Sequence, residues 1–188
     1  MKRSETTKFL SQLLEKSCFS GPSKYWARKV RLDYGYKTGK PRSVDYMQFI
    51  LENQCSISAI EKGIFVCYEI KSCKEDIYSG NGLNFIGEKN YLVTTMECYK
   101  EILPDLKNGK FAKHILENFP ECYAEISNMG VMVAVPYQRD VDEEFENPTS
   151  LDGDVEKWRL SVILKCGNNG SRKRSMTELL FRMVRSVH

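Results

Sequence analysis

Apolar and polar positions along this chain change their spacing several times, and each change marks a predicted element. From Thr7 to Cys18, Phe9, Leu10, Leu13 and Leu14 recur at helical spacing. Ser20-Gly21-Pro22-Ser23 then breaks that helix. Trp26 to Tyr36 reads as extended, Lys37 to Arg42 as a turn, and Val44 to Phe49 as a returning strand, which predicts a β-hairpin. Gly63 to Lys71 is the most strand-like stretch, with β-branched and aromatic residues throughout. Gly80, Asn81 and Gly82 make Ser79 to Asn84 a predicted flexible loop. Beyond it the pattern predicts a strand at Tyr91–Thr95 and a short helix at Glu97–Leu106, broken at Pro104. A further helix at Phe111–Asn118 and a buried strand at Gly130–Val135 follow. Trp158 to Leu164 fits either a strand or a helix. After a turn at Gly167–Gly170, Ser171 is the predicted cap of a last helix with Met176, Leu179, Leu180 and Met183 on one face. This order predicts a mixed α/β sheet with helices on its faces.

Composition narrows the class. The 188 residues suit one domain with a sizeable core, and 41% hydrophobic content is too high for a disordered chain. No apolar run is long enough to span a bilayer. The start of the chain reads as an amphipathic helix rather than a signal peptide, so a soluble, cytoplasmic protein is expected. The seven cysteines are scattered singly with no C-x-x-C pair, which argues against structural zinc and against a disulfide framework.

Charge adds a second theme. The net charge is only +3, yet both ends are basic. Arg28, Lys29, Arg31, Lys40 and Arg42 crowd the predicted hairpin, and Arg172 and Lys173 open the predicted last helix. An acidic stretch from Asp140 to Glu156 separates them and is expected to be a surface loop or partly disordered insertion at about 139–157. The basic ends are either a phosphate-binding face or ordinary solvated surface.

The chemistry concentrates in the strongest strand. Glu69 and Lys71 are two residues apart, so strand geometry puts both on one face while Tyr68 and Ile70 enter the core. Asp45 lies on the preceding strand and converges on Glu69 if the two strands are neighbours. Two carboxylates are hard oxygen ligands suited to Mg²⁺ or Mn²⁺. A lysine beside them can orient a water or hold a developing phosphate charge. The bland alternative is a solvated edge-strand pair.

Val44-Asp45, a gap of 23 residues and Glu69-Ile70-Lys71 resemble the PD-(D/E)-x-K nuclease superfamily. Lys71-Ser72 followed by Lys74-Glu75-Asp76-Ile77 is similar to a run in its MmcB-like and RecB-like DNA-repair branch. The likeness covers roughly residues 5–137 and 171–187. Val44 stands where the named pattern has proline, and no four-cysteine set for an iron–sulfur cluster is present. The resemblance implies a restriction-endonuclease-like mixed central sheet flanked by helices, in a single domain spanning 1–188. It further implies a Mg²⁺- or Mn²⁺-dependent nuclease acting on nucleic acid, most simply DNA, with Asp45 and Glu69 as metal ligands and Lys71 at the scissile phosphate. Many members also place a helix-1 carboxylate near the metal, and Glu15 is the match here. Arg28, Lys29, Arg31, Lys40, Arg42, Ser72, Arg172 and Lys173 are the expected substrate contacts. A nuclease-fold protein that binds nucleic acid or a protein partner without cutting is the rival expectation.

Overall fold

The computed structural model describes residues 1–33, 42–52, 56–118, 128–167 and 170–186. Six strands form one sheet in chain order: β1 (Tyr25–Arg31), β2 (Ser43–Ile50), β3 (Ile64–Ile70), β4 (Lys89–Thr95), β5 (Gly130–Pro136) and β6 (Trp158–Leu164). The first three make an antiparallel meander, β3–β4 and β4–β5 are parallel, and β5–β6 is antiparallel. Among the described residues seven α-helices accompany them: α1 (Arg3–Leu14), α2 (Ile57–Glu61), α3 (Lys74–Ile77), α4 (Met96–Lys107), α5 (Lys110–Asn118), α6 (Val141–Glu146) and α7 (Met176–Ser186). The mixed α/β sheet flanked by helices is thus present.

Period-2 alternation divides the core into two faces. Val66, Tyr68, Ile70, Val93 and Met132 pack under α1 against Phe9, Leu10, Leu13 and Leu14. Their sequence neighbours face the opposite way. Phe65 and Cys67 join Leu179 and Met183 of α7, and Leu92, Val131 and Val133 join Ile102, Phe111 and Ile115 of α4 and α5. Both faces are covered, as the parallel centre of a sheet requires.

Several expectations need correction. Pro104 does not break its helix, because α4 runs on to Lys107. It sits in the last turn, and Asn108 N–H still donates to the Pro104 carbonyl at 2.9 Å. The acidic stretch is neither a plain loop nor disordered. Asp140 caps α6 through Glu143 N–H at 2.8 Å, and the segment returns through a 3₁₀ turn at Val155–Lys157 into β6. Trp158–Leu164 is a strand, paired from Val131↔Leu164 to Pro136↔Trp158. The last helix begins at Met176, and its first turn is bonded to Ser175 rather than to Ser171: Glu178 N–H donates to Ser175 Oγ at 3.2 Å.

Among the described residues no helix is long and apolar enough to cross a membrane.

Candidate active site

The meander brings the predicted trio together. Tyr46 lies opposite Tyr68, so one further step of the same antiparallel register puts Asp45 opposite Glu69. Asp45 Oδ2 accepts the Ile70 N–H at 2.9 Å, which anchors the carboxylate at the end of β3. Lys71 follows β3 directly and stays tied to the sheet, its N–H donating to Val93 O at 3.0 Å and its carbonyl accepting Thr94 Oγ1 at 2.6 Å. Glu69 and Lys71 therefore continue the Phe65–Cys67 row beyond its apolar part.

Both side chains are deeply buried: Glu69 is 3% exposed and Lys71 4%. Neither is a solvated edge residue. Lys71 Nζ donates to the Asn81 carbonyl at 2.5 Å and faces Asp76 at 3.8 Å. Glu69 is met by the Asn84 backbone N–H and by Asn84 Nδ2, the latter reaching its Oε1 only at 3.4 Å while bonding Ser43 O at 2.6 Å.

Burial sets the electrostatics. Burial pushes the Glu69 carboxyl well above the usual carboxylate range, and the adjacent Asp45 charge pushes it further; Lys71 opposes both. Burial also raises Asp45, against the opposing Ile70 N–H. The Lys71 ammonium and the adjoining Glu69 carboxyl also hold the Asp45 rise in check. Two carboxyls that cannot both ionise comfortably are the arrangement a divalent cation relieves.

The trio lies in a cavity of about 800 Å³ at the C-terminal end of β3. Ser43, Ile70, Asn81 and Gly82 line it, and the first residues of α1 complete the wall: Lys2, Arg3, Ser4 and Thr7. Arg3 is ion-paired with Asp76, which joins α1 to α3. Asp45 and Glu69 are the residues that could hold Mg²⁺ or Mn²⁺. Among the described residues no three His, Cys, Asp or Glu side chains converge into a cage, so the remaining positions would fall to water, as Mg²⁺ commonly allows.

The other expected site residues lie elsewhere. Glu15 follows the last turn of α1, whereas the first turn reaches the cavity; 12 residues of helix span about 18 Å. Its Oε1 accepts Tyr46 Oη at 2.6 Å and faces Arg28 at 3.7 Å, so it is not a cavity residue. Arg42 pairs with Asp33 at 2.9 Å, and Arg172 pairs with Glu88 at 3.1 Å. Both hold the fold rather than line the cavity. The backbone of Lys173 is fixed to Ile86 O at 2.9 Å. Arg28, Lys29 and Arg31 are exposed on β1, away from the cavity lining. Ser72 Oγ is buried with no hydrogen-bond partner and does not line the cavity. Lys40 lies outside the described residues. Trp26 stacks on Phe19 at 4.8 Å and serves packing.

Sequence reasoning assigned no role to Lys2, Arg3, Asp76, Asn84 or Gly82. The available signals were a Lys-Arg pair opening the first helix and Asp76 within the run that resembles DNA-repair nucleases.

Comparison with protein-family models, with curated proteins and with solved structures finds no match for this chain.

Proposed function

We propose that the protein is a divalent-metal-dependent nuclease that hydrolyses phosphodiester bonds, most simply in DNA, at the Asp45–Glu69–Lys71 cavity. The observation that carries this reading is the pairing of half-buried Asp45 with buried Glu69, both raised in pKa chiefly by burial, with the buried Lys71 ammonium beside them. Asp45 and Glu69 would hold the cation, Asp45 being aimed by the Ile70 N–H. A bound Mg²⁺ or Mn²⁺ would supply an activated water and offset charge on the leaving oxygen. Lys71 places its ammonium where the phosphoryl oxygens gain negative charge. Water oxygen forms the new P–O bond, the ester P–O bond breaks, and the leaving alkoxide takes a proton to become a free hydroxyl. Lys2 and Arg3, at the mouth, supply the positive charge that attracts a polyanion. This assignment is the one that the resemblance of Asp45…Glu69-Ile70-Lys71 to the PD-(D/E)-x-K nucleases implies.

One observation favours a second reading. Asn81 O already occupies Lys71, and a side chain added at Gly82 would meet Glu69 Oε2 at 2.7 Å. A site this closed also suits a nuclease-like fold that binds nucleic acid without cutting it.

End-labelled single- and double-stranded DNA and RNA, incubated with purified protein and Mg²⁺ or Mn²⁺, separate the two. The nuclease reading expects metal-dependent cleavage that falls about a thousand-fold in Asp45→Ala and in Lys71→Ala. No cleavage of any substrate by wild type, with binding retained, leaves the second reading standing.

A further inference from the structure

The loop between α3 and β4 is built unlike the rest of the molecule. Gly80, Gly82, Leu83 and Phe85 have φ of 71°, 72°, 59° and 43°. Glycine adopts the left-handed region freely, but for leucine and phenylalanine it is strained. Leu83 and Phe85 tolerate it because both side chains are fully buried among Ile77, Leu92 and Phe111. The loop thus has an anchored half, Leu83–Phe85. Its other half, Gly80–Asn81–Gly82, carries one backbone carbonyl between two glycines.

That carbonyl is the acceptor for Lys71 Nζ at 2.5 Å. Gly82 sits so close over the site that a Cβ there would lie 2.7 Å from Glu69 Oε2 and 3.2 Å from Lys71 Nζ. The segment therefore shields the two residues to which the proposed chemistry assigns metal and phosphate. It does so with a neutral acceptor. A phosphoryl oxygen, being charged, is the stronger partner for an ammonium. Asp76 does not compete fully, because it also pairs with Arg3.

We propose that Gly80–Gly82 is a gate over the site, closed by the Asn81 carbonyl on Lys71 and opened when a phosphate group takes that ammonium over. The hinge glycines let the Asn81–Gly82 peptide rotate away, while buried Leu83 holds the far end in register. This gating rests on the assignment of Glu69 and Lys71 above, and it explains how a site closed in this form admits a phosphodiester.

The test uses the full chain and reads the accessibility of Lys71, so it does not depend on cleavage. The protein is treated briefly with an amine-acylating reagent, and modification of Lys71 is followed by mass spectrometry beside that of exposed Lys113. In Gly82→Ala the new Cβ drives the segment off Glu69, and Lys71 modification rises about ten-fold over wild type, equivalent to about 1.4 kcal/mol in the closing equilibrium. Asn81→Ala keeps the backbone carbonyl and leaves Lys71 as protected as in wild type. Folded Gly82→Ala with Lys71 still protected overturns the gate. So does Asn81→Ala exposing Lys71 as fully as Gly82→Ala. Should Gly82→Ala fail to fold, backbone hydrogen exchange of wild type decides. The gate expects the Asn81 and Gly82 amides to exchange about ten-fold or more faster than those of Val66–Tyr68. It also expects a short phosphorothioate oligonucleotide to change their rate. Equal protection overturns it, as does a rate that the oligonucleotide does not move. A protein that never cleaves but passes these tests loses the nuclease reading and keeps the gate; one that cleaves but fails them does the reverse.

Discussion

Glu69 and Glu144 are acids withdrawn almost wholly from water, 3% and 1% exposed, and they are held in opposite ways. Glu144 receives Arg139 Nη1 at 2.9 Å, Thr149 N–H at 2.6 Å and Thr149 Oγ1 at 2.7 Å. Every bond comes from a strong donor, one of them a cation, and together they close the acidic segment onto α6. Glu69 takes the Asn84 backbone N–H and a distant Asn84 Nδ2 at 3.4 Å, no cation among the described residues bonds it directly, and it faces a second carboxyl. A buried charge is stable only when its lone pairs are met. Glu144 is a structural pin, whereas Glu69 is left in deficit where a cation would remove it. Burial alone therefore says little about a role; the supply of donors distinguishes the two.

The contrast can be broken at several points. The largest stability effect is expected at the pin: Glu144→Ala leaves Arg139 without its buried partner and costs about 3 kcal/mol, read from denaturant unfolding. A cost below about 1 kcal/mol would remove the distinction. The deficit at Glu69 predicts that Mn²⁺ stabilises the folded protein, by about 2.7 kcal/mol at a hundred times its Kd, and does so more at pH 8 than at pH 5, because the ligands must lose their protons. A calorimetric Tm equally indifferent to Mn²⁺ at both pH values counts against two carboxylate ligands.

Without metal, pH itself exposes the deficit. The folded pKa of Glu69 lies above its ordinary value of 4.5, so the folded state keeps a proton that the unfolded chain releases. Stability is fullest below that ordinary value and falls as pH rises towards the folded pKa, by up to about 1.4 kcal/mol per pH unit. Glu69→Gln should flatten this slope; an unchanged slope assigns it to other groups. The smallest effect is expected on β1, where Arg28→Ala should change stability by less than about 0.5 kcal/mol, since its contact with Glu15 is long and exposed.

Much of the core of the site was legible because it depends on local geometry. Period-2 spacing places Glu69 and Lys71 on one face whatever the rest of the chain does. Asp45 was tied to Glu69 only on condition that their two strands were neighbours, and the β2–β3 pairing meets that condition. Glu15 was misplaced for a different reason. Membership of the first helix is a sequence property, but which end of that helix meets the sheet end is decided by packing of Phe9, Leu10, Leu13 and Leu14. The basic residues were equally opaque, since only folding reveals that Arg42 and Arg172 are committed to Asp33 and Glu88. Ordering of the acidic segment likewise depends on Arg139, Glu144 and Thr149 meeting inside it.

What the sequence determined on its own was periodicity: where the main strands and helices fall, and therefore the Glu69–Lys71 pair, while Asp45's place beside it needed the β2–β3 pairing. Tertiary structure alone decided how much water those groups retain, which donors reach them, and that the start of α1 and the Asn81–Gly82 backbone close around them. Alternation is a property of consecutive residues, whereas desolvation and hydrogen-bond supply come from segments far apart in the chain, and these turn an acid on a strand into either a pin or a candidate ligand.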